Sequence, residues 1–441
     1  MFKRMKMPSC IQLELTNLCN QKCRHCYNYW REGDFSPIML SREKLDFMLD
    51  EFIKCRVFNV VFSGGEPFIN FDQLLYGVKK LTGAGISTTS DTNLMLATED
   101  RLKMLYDAGL GHVLTSFNSY DEATNDFIVS CPGAQKKIIK GIEAARKVGM
   151  RVSVNIIISN LNKGHVYGTG KFLSQFGINK FFSTRTVPSI ASGAELSREL
   201  TIDPKEELRV LDEMIRVRDD FGIPIGSLIQ FPVCFLGDVE KYKDYVGRGC
   251  TAGKKMVCLD VHGNGHACVH EAKSYGNIFE IGLGGIWNNL EEWKDSGILP
   301  EDCRGCSWED KCEGGCRFSA FTEHGDIRGR DRLMLGSEIM RNIPRKGIPK
   351  EIYDSVDNDT FYTLGTLRFR DEGDFYTISR LGADVVQAGP EIARFLEGLH
   401  KKRAEFTLKD LGLRWRDDLA RAVFEGLVLP AKGNAGSRQT V

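Results

Sequence analysis

A chain of 441 residues, 42% hydrophobic and 10% aromatic, is long enough for two or three domains with proper cores. Lys+Arg and Asp+Glu both number 59, so the net charge is zero, against the basic excess of an extended nucleic-acid footprint. No stretch reaches the roughly 18 to 20 apolar residues of a membrane span, and the basic start Met1 to Pro8 has no apolar run behind it as a signal peptide would.

A cytoplasmic location is therefore expected. There, 14 cysteines in a chain of this length point to metal rather than to the disulfide framework of a small secreted domain.

From about Cys10 to Thr186, short apolar runs alternate with helical patterns. The expected strands are 11–15, 59–62, 85–89, 112–116, 152–158 and 180–183. Between them, Ser41 is placed to cap a helix through Lys54, with Leu45, Met48, Leu49 and Phe52 at helical spacing. Further helices are expected over 71–81, 99–108 and 134–148. Six strands alternating with helices imply an α/β fold: a parallel sheet, open or curled into a partial (β/α)6 barrel, with its site at the C-terminal strand ends.

A linker helix is expected over 202–221, then a loop-rich domain over 247–316 whose poor periodicity suits a backbone shaped by metal ligation. The expected domains are thus 1–190, 191–340 and, after a linker-like stretch at 341–349, a small α+β unit over 350–441. Strand patterns near 367–369, 375–378 and 384–386 and helices at 391–401, 407–411 and 416–426 suggest a winged-helix-like module.

The chemistry lies in the cysteines. Cys19, Cys23 and Cys26 form C-x3-C-x2-C directly after the first strand, so their loop lies at that strand's C-terminal end. Three thiolates against the four irons of a cubane cluster leave one iron open for chemistry. Tyr27 follows at once, able to shield a cluster or simply to anchor the loop. The second strand ends in Ser63-Gly64-Gly65-Glu66-Pro67. Paired glycines let a backbone approach a ligand closely, and Glu66 suits an ammonium group. A Gly-rich turn alone would be the bland reading.

These residues resemble the radical S-adenosylmethionine (SAM) enzymes, whose signature is the three-cysteine loop with its following tyrosine and a Gly-Gly-Glu-Pro strand end. The resemblance covers roughly residues 10–190. It implies a [4Fe–4S] cluster on Cys19, Cys23 and Cys26, with the cosubstrate's amine and carboxylate on the fourth iron. It also implies reductive cleavage to a 5′-deoxyadenosyl radical, and electrons from a flavodoxin or ferredoxin. Gly64, Gly65 and Glu66 are carried over as cosubstrate contacts. Ser116 matches the serine of a Ser-x-Asp-Gly pattern whose last two residues are here Asn118 and Ser119. Ser90-Asp91-Thr92 stands where many members have Thr-Asn-Gly. Arg185 is a candidate for the cosubstrate carboxylate, or else a surface ion pair.

Cys250, then Gly263-x4-Cys268, then Cys303-x2-Cys306-x5-Cys312-x3-Cys316, resemble the SPASM extension, which binds auxiliary clusters. The resemblance places Cys250, Cys258, Cys268 and Cys316 on one auxiliary [4Fe–4S] cluster and Cys303, Cys306 and Cys312 on a second. The family's seventh cysteine is missing, because its stretch reads Asp331-Arg332-Leu333-Met334. Met334 would be a poor ligand, since a thioether binds iron weakly. Asp326, His324, Cys131 or Cys234 could complete the site, or the iron stays open. One or two zinc sites are the bland alternative for the whole group.

The last 90 residues resemble the peptide-recognition element of ribosomal-peptide maturases, which would hold a leader peptide along the strand at 384–388. Lys+Arg against Asp+Glu from Lys350 onward count 14 to 15, which disfavours DNA. The expected function is a maturase that oxidatively modifies a ribosomally made precursor peptide by a thioether or carbon–carbon crosslink. The alternatives are a maturase of a protein partner or tetrapyrrole-like molecule, and a non-catalytic electron-transfer protein.

Overall fold

Alternation along the first strand sets the architecture. In β1 (Cys10–Glu14), Ile11 and Leu13 are fully buried while Gln12 and Glu14 take the opposite face. β2 (Asn59–Ser63), β3 (Ser87–Asp91), β4 (His112–Ser116), β5 (Arg151–Ile158) and β6 (Lys180–Arg185) follow beside it in chain order, all parallel. Parallel neighbours need crossovers, and helices supply them: Arg42–Lys54, Phe71–Gly83, Glu99–Asp107, Glu122–Val129 with Ala134–Lys147, and Val166–Leu173. Ser41 caps the first, accepting from Lys44 N, and Leu45, Met48, Leu49 and Phe52 are its buried stripe.

This is the expected partial (β/α)6 barrel. The computed structural model describes residues 3–32, 36–192, 194–247, 249–294, 296–336, 350–379, 385–402, 405–424 and 426–431. Two additions extend its sheet. β7 (Ile225–Gly226) pairs with β6, and β8 (Met256–Leu259) runs parallel to the free side of β1, followed by antiparallel β9 (Gly265–His266). The sheet register then defines one inner face, with Gln12 and Glu14, Val61, Thr89 and Asp91, Leu114 and Ser116, and Asn155.

The chain forms two compact units, Cys10–Asn342 and the paired segments Met1–Ser9 and Ile343–Val441. The cut expected near residue 190 thus falls inside the first unit, where β8 carries part of the cysteine-rich region onto β1. The linker-like stretch 341–349 lies outside the described residues.

In the second unit, β10 (Tyr362–Leu364) pairs with a late strand, β14 (Val428–Pro430), a pairing that local patterning does not reveal. β11 (Arg368–Asp371), β12 (Tyr376–Ser379) and β13 (Val385–Ala388) form an antiparallel meander. Its core joins Ile378 to Leu396 of helix Pro390–Lys402 and Leu419 of helix Arg416–Phe424. The expected strand start at Asp384 lies outside the described residues. The opposite sheet face holds the chain's first residues: Arg370 Nη1 donates to Pro8 O (2.9 Å), and Lys3 N to Gln387 Oε1 (2.6 Å). Among the described residues no helix is long and apolar enough to cross a membrane.

Candidate active site

The loop after β1 is held from both sides. Gly65 N donates to Thr16 O and Glu66 N to Leu18 O, each at 2.7 Å. A Cβ on Gly64, whose φ is +122°, would lie 2.3 Å from Thr16 O, and one on Gly65 would lie 2.0 Å from Leu18 O. The glycine pair, expected to admit a ligand, therefore admits the backbone of the cysteine loop itself. On the loop's other side Lys22 N and Arg24 N donate to Val129 O and Ile128 O, the end of helix Glu122–Val129.

Cys19, Cys23 and Cys26 hang between these supports as free thiols. Burial pushes the Cys19 thiol up to about 11, and Cys23 rises further, first through burial and then through Cys26 and Cys19 beside it. The donors around them oppose this: Arg31 Nη1 lies 3.4 Å from Cys26 Sγ and Asn93 Nδ2 3.9 Å from Cys19 Sγ. Three converging sulfurs with a guanidinium and an amide aimed at them fit an iron–sulfur cluster, which takes its cysteines as thiolates.

Glu66 is buried, and its carboxylate already serves the chain. It accepts from Thr92 Oγ1 (2.6 Å), Phe68 N (3.0 Å) and Asn93 N (2.7 Å). Burial raises its pKa to about 7 against the pull of those donors. Through Asn93 it reaches the Cys19 sulfur, so its place in the structure is that of a tie between β2, β3 and the cysteine loop. Ser116 lies on the inner face beside Asn155, at the C-terminal end of β4. The Tyr27 ring sits 5.0 Å from that of His270, which also stacks with Phe318 at 6.1 Å.

Two inner-face carboxylates escaped the motif reading. Burial raises Glu14 to a pKa of about 8, with Asp260 adding to it, and Asp91 to about 7. Glu14 Oε2 has no hydrogen-bond partner among the described residues. It faces a cavity shared with Tyr29, Cys258, Cys268 and Glu271. The signal was present in the alternation of residues 11–15, which sets Gln12 and Glu14 opposite three buried aliphatics.

Arg185 corrects an expectation. Strand alternation puts it on the face of Phe181 and Ser183, away from Phe182 and Thr184. There it is fully buried in a two-pronged pair with Asp331, donating also to Gln230 O (2.9 Å). Both Nη atoms are taken, so the ion pair that Arg185 makes is a buried one and not a surface one. Asp331 Oδ2 in turn accepts from Cys316 N (2.7 Å).

The later cysteines separate into two sets. In the first, Cys258 is buried, and Cys250, Cys268 and Cys316 are partly buried. Burial raises each, and Cys250, Cys268 and Cys316 lie close enough to add to one another, as Cys268 does to Cys258. Cys303, Cys306 and Cys312 line a second cavity. Among the described residues no three His, Cys, Asp or Glu side chains close on a single-ion site.

A parallel α/β half-barrel whose first strand ends in a buttressed three-thiol loop is a frame for radical chemistry at a metal cluster. Residues 13–173 match the Radical SAM superfamily. The chain is similar to the PqqA peptide cyclase of Bradyrhizobium diazoefficiens, 26% identical over 74% of this chain and 85% of that one. It is also similar to the AdoMet-dependent heme synthase of Methanosarcina barkeri, 25% identical over 72% and 94%. Streptococcus suis SuiB bound to S-adenosylmethionine shares the fold, with a TM-score of 0.58 at 17% identity over 75% of this chain and 78% of that one. The same protein bound to precursor peptide SuiA gives 0.58 at 16% over 77% of each. The chain carries a radical SAM domain over residues 13–173, and with it the enzymatic use of a [4Fe–4S] cluster and S-adenosylmethionine.

Proposed function

We propose that the chain is a peptide maturase, which holds the leader of a ribosomally made precursor and oxidises its core to a thioether or carbon–carbon crosslink. The observation that carries this reading is the edge of β13. Among the described residues that strand pairs only with β12, so its other edge is available to an extended peptide as a fourth strand. The named activity of the PqqA peptide cyclase relative and the peptide bound to SuiB support the same reading.

Cys19, Cys23 and Cys26 hold the [4Fe–4S] cluster, with Tyr27, Gly64, Gly65, Glu66 and Ser116 around the cosubstrate. Cluster and cosubstrate together supply hydrogen-atom abstraction. Cys250, Cys258, Cys268 and Cys316 hold an auxiliary cluster, and Cys303, Cys306 and Cys312 belong to a second. A substrate that loses two hydrogens loses one as an atom, the other as a proton and an electron. Glu14, with one oxygen unpartnered, is placed to take the proton. Cys258 and Cys268, on the same cavity, put an electron-accepting group within reach.

The test is mass spectrometry of a precursor peptide co-expressed with the chain. The expected product is lighter by about two hydrogens, as an electron-accepting auxiliary cluster requires. An unchanged mass overturns the oxidative reading, and turnover of a tetrapyrrole instead would favour the chemistry named for the heme synthase relative.

A further inference from the structure

The second auxiliary site lacks a fourth ligand by sequence spacing, but its cavity does not lack a fourth thiol. Cys234 lines it together with Cys303, Cys306 and Cys312, and Met334 and Trp308 complete part of the wall. Cys234 is buried on the one-turn helix Val233–Leu236, far upstream in the chain. Its place is fixed from the cysteine loop itself. Val233 N donates to Cys312 Sγ (3.3 Å), and Gln230 Nε2 to Cys312 O (3.2 Å) and Gly315 O. The segment carrying Cys234 is thus tied to the loop carrying Cys312, and the two cannot separate without breaking both contacts.

The other candidates are placed differently. His324 and Asp326 are exposed, and Asp326 accepts from Arg328 N. Cys131 lies beyond helix Glu122–Val129, its N–H bound to Asp126 O. None of the three lines the cavity. Met334 does, with Sδ 3.5 Å from Cys303 Sγ, and it stands where the absent cysteine belongs. A thioether carries no charge and binds iron weakly, whereas a thiol gives up its proton and binds as an anion.

We propose that Cys234 is the fourth thiolate of the second auxiliary cluster, completing the set Cys234, Cys303, Cys306 and Cys312, and that Met334 is only its apolar wall. This rests on the reading that the cysteine-rich region holds iron–sulfur clusters. A ligand lost from one end of the region is replaced from the other, and the site is closed. Its role is then electron transfer, with no iron left open to bind substrate.

The test is anaerobic reconstitution of the full chain with ferrous iron and sulfide, followed by iron and sulfide counts and electron paramagnetic resonance of the reduced protein. Three four-iron clusters give about 12 iron atoms per chain. Cys234→Ala is expected to fall by about 4, or to leave a three-iron signal, while Met334→Leu keeps the full count. Cys234→Ser, which preserves volume and offers an oxygen, is expected to shift the resonance of one cluster only, separating a ligand from a packing residue. Wild-type iron and spectra in both Cys234 variants overturn the assignment, as does loss of a cluster in Met334→Leu. A wild-type chain that loads about 8 overturns it while leaving the first auxiliary cluster standing; one that loads about 4 overturns the auxiliary reading itself.

Discussion

Gly65→Ala is expected to strip the chain of its catalytic cluster while leaving most of the fold in place. The new methyl group would sit 2.0 Å from Leu18 O and within 2.9 Å of Asn17 O, and both are backbone atoms that no rotamer change can move. Either the β2 turn or the cysteine loop must shift, and the bonds Gly65 N to Thr16 O and Glu66 N to Leu18 O go with it. Two buried donors losing partners cost about 2–6 kcal/mol. A shift near 1 Å at a reacting centre costs roughly 100-fold in rate. Iron content should fall by one cluster and cosubstrate cleavage by about 100-fold or more. Gly83→Ala is the control, because a methyl group there, at the end of helix Phe71–Gly83, would meet nothing within 4 Å. That variant should keep its iron and its activity.

Asp331→Ala is expected to lower the melting temperature by roughly 5–10 °C. Arg185 and Asp331 are both fully buried, and removing the carboxylate leaves a buried guanidinium without its hydrogen-bonded counter-charge, though Glu207 lies near enough to act on it. Breaking a buried pair from one side costs about 3–5 kcal/mol. The same change releases Cys316 N and Leu333 N, whose donations Asp331 accepts at 2.7 and 2.9 Å, so the backbone around the Cys316 thiol loosens too. Exchanging both partners together, Arg185→Met with Asp331→Leu, should recover much of the loss, since no charge is then stranded. A double variant as unstable as the single one would show that Cys316 positioning, rather than the charge, dominates.

What could be read in the sequence was local. The three-cysteine loop and the Gly-Gly-Glu turn are short-range patterns, and alternation and helical spacing placed β1 to β6 within a few residues. Glu14 was equally local but hidden among other acids, and only its place on the inner face sets it apart. Arg185 was misplaced because its partner Asp331 is 146 positions away, and no periodicity links them. Cys234 had the same difficulty, its neighbours at the second cavity lying some seventy to eighty residues on. Nor does composition say that the first residues of the chain belong with its last, a pairing made by Arg370, Glu372 and Gln387.

The proposed function rests on the loop of Cys19, Cys23 and Cys26 as the holder of the radical-generating cluster, and every other part of it depends on that. The most direct measurement is 5′-deoxyadenosine released when the iron-reconstituted chain meets S-adenosylmethionine and dithionite without oxygen. The expected result is release by the wild type and its fall to background in Cys23→Ala, with auxiliary iron retained. No release from a wild-type chain carrying its full iron would contradict it.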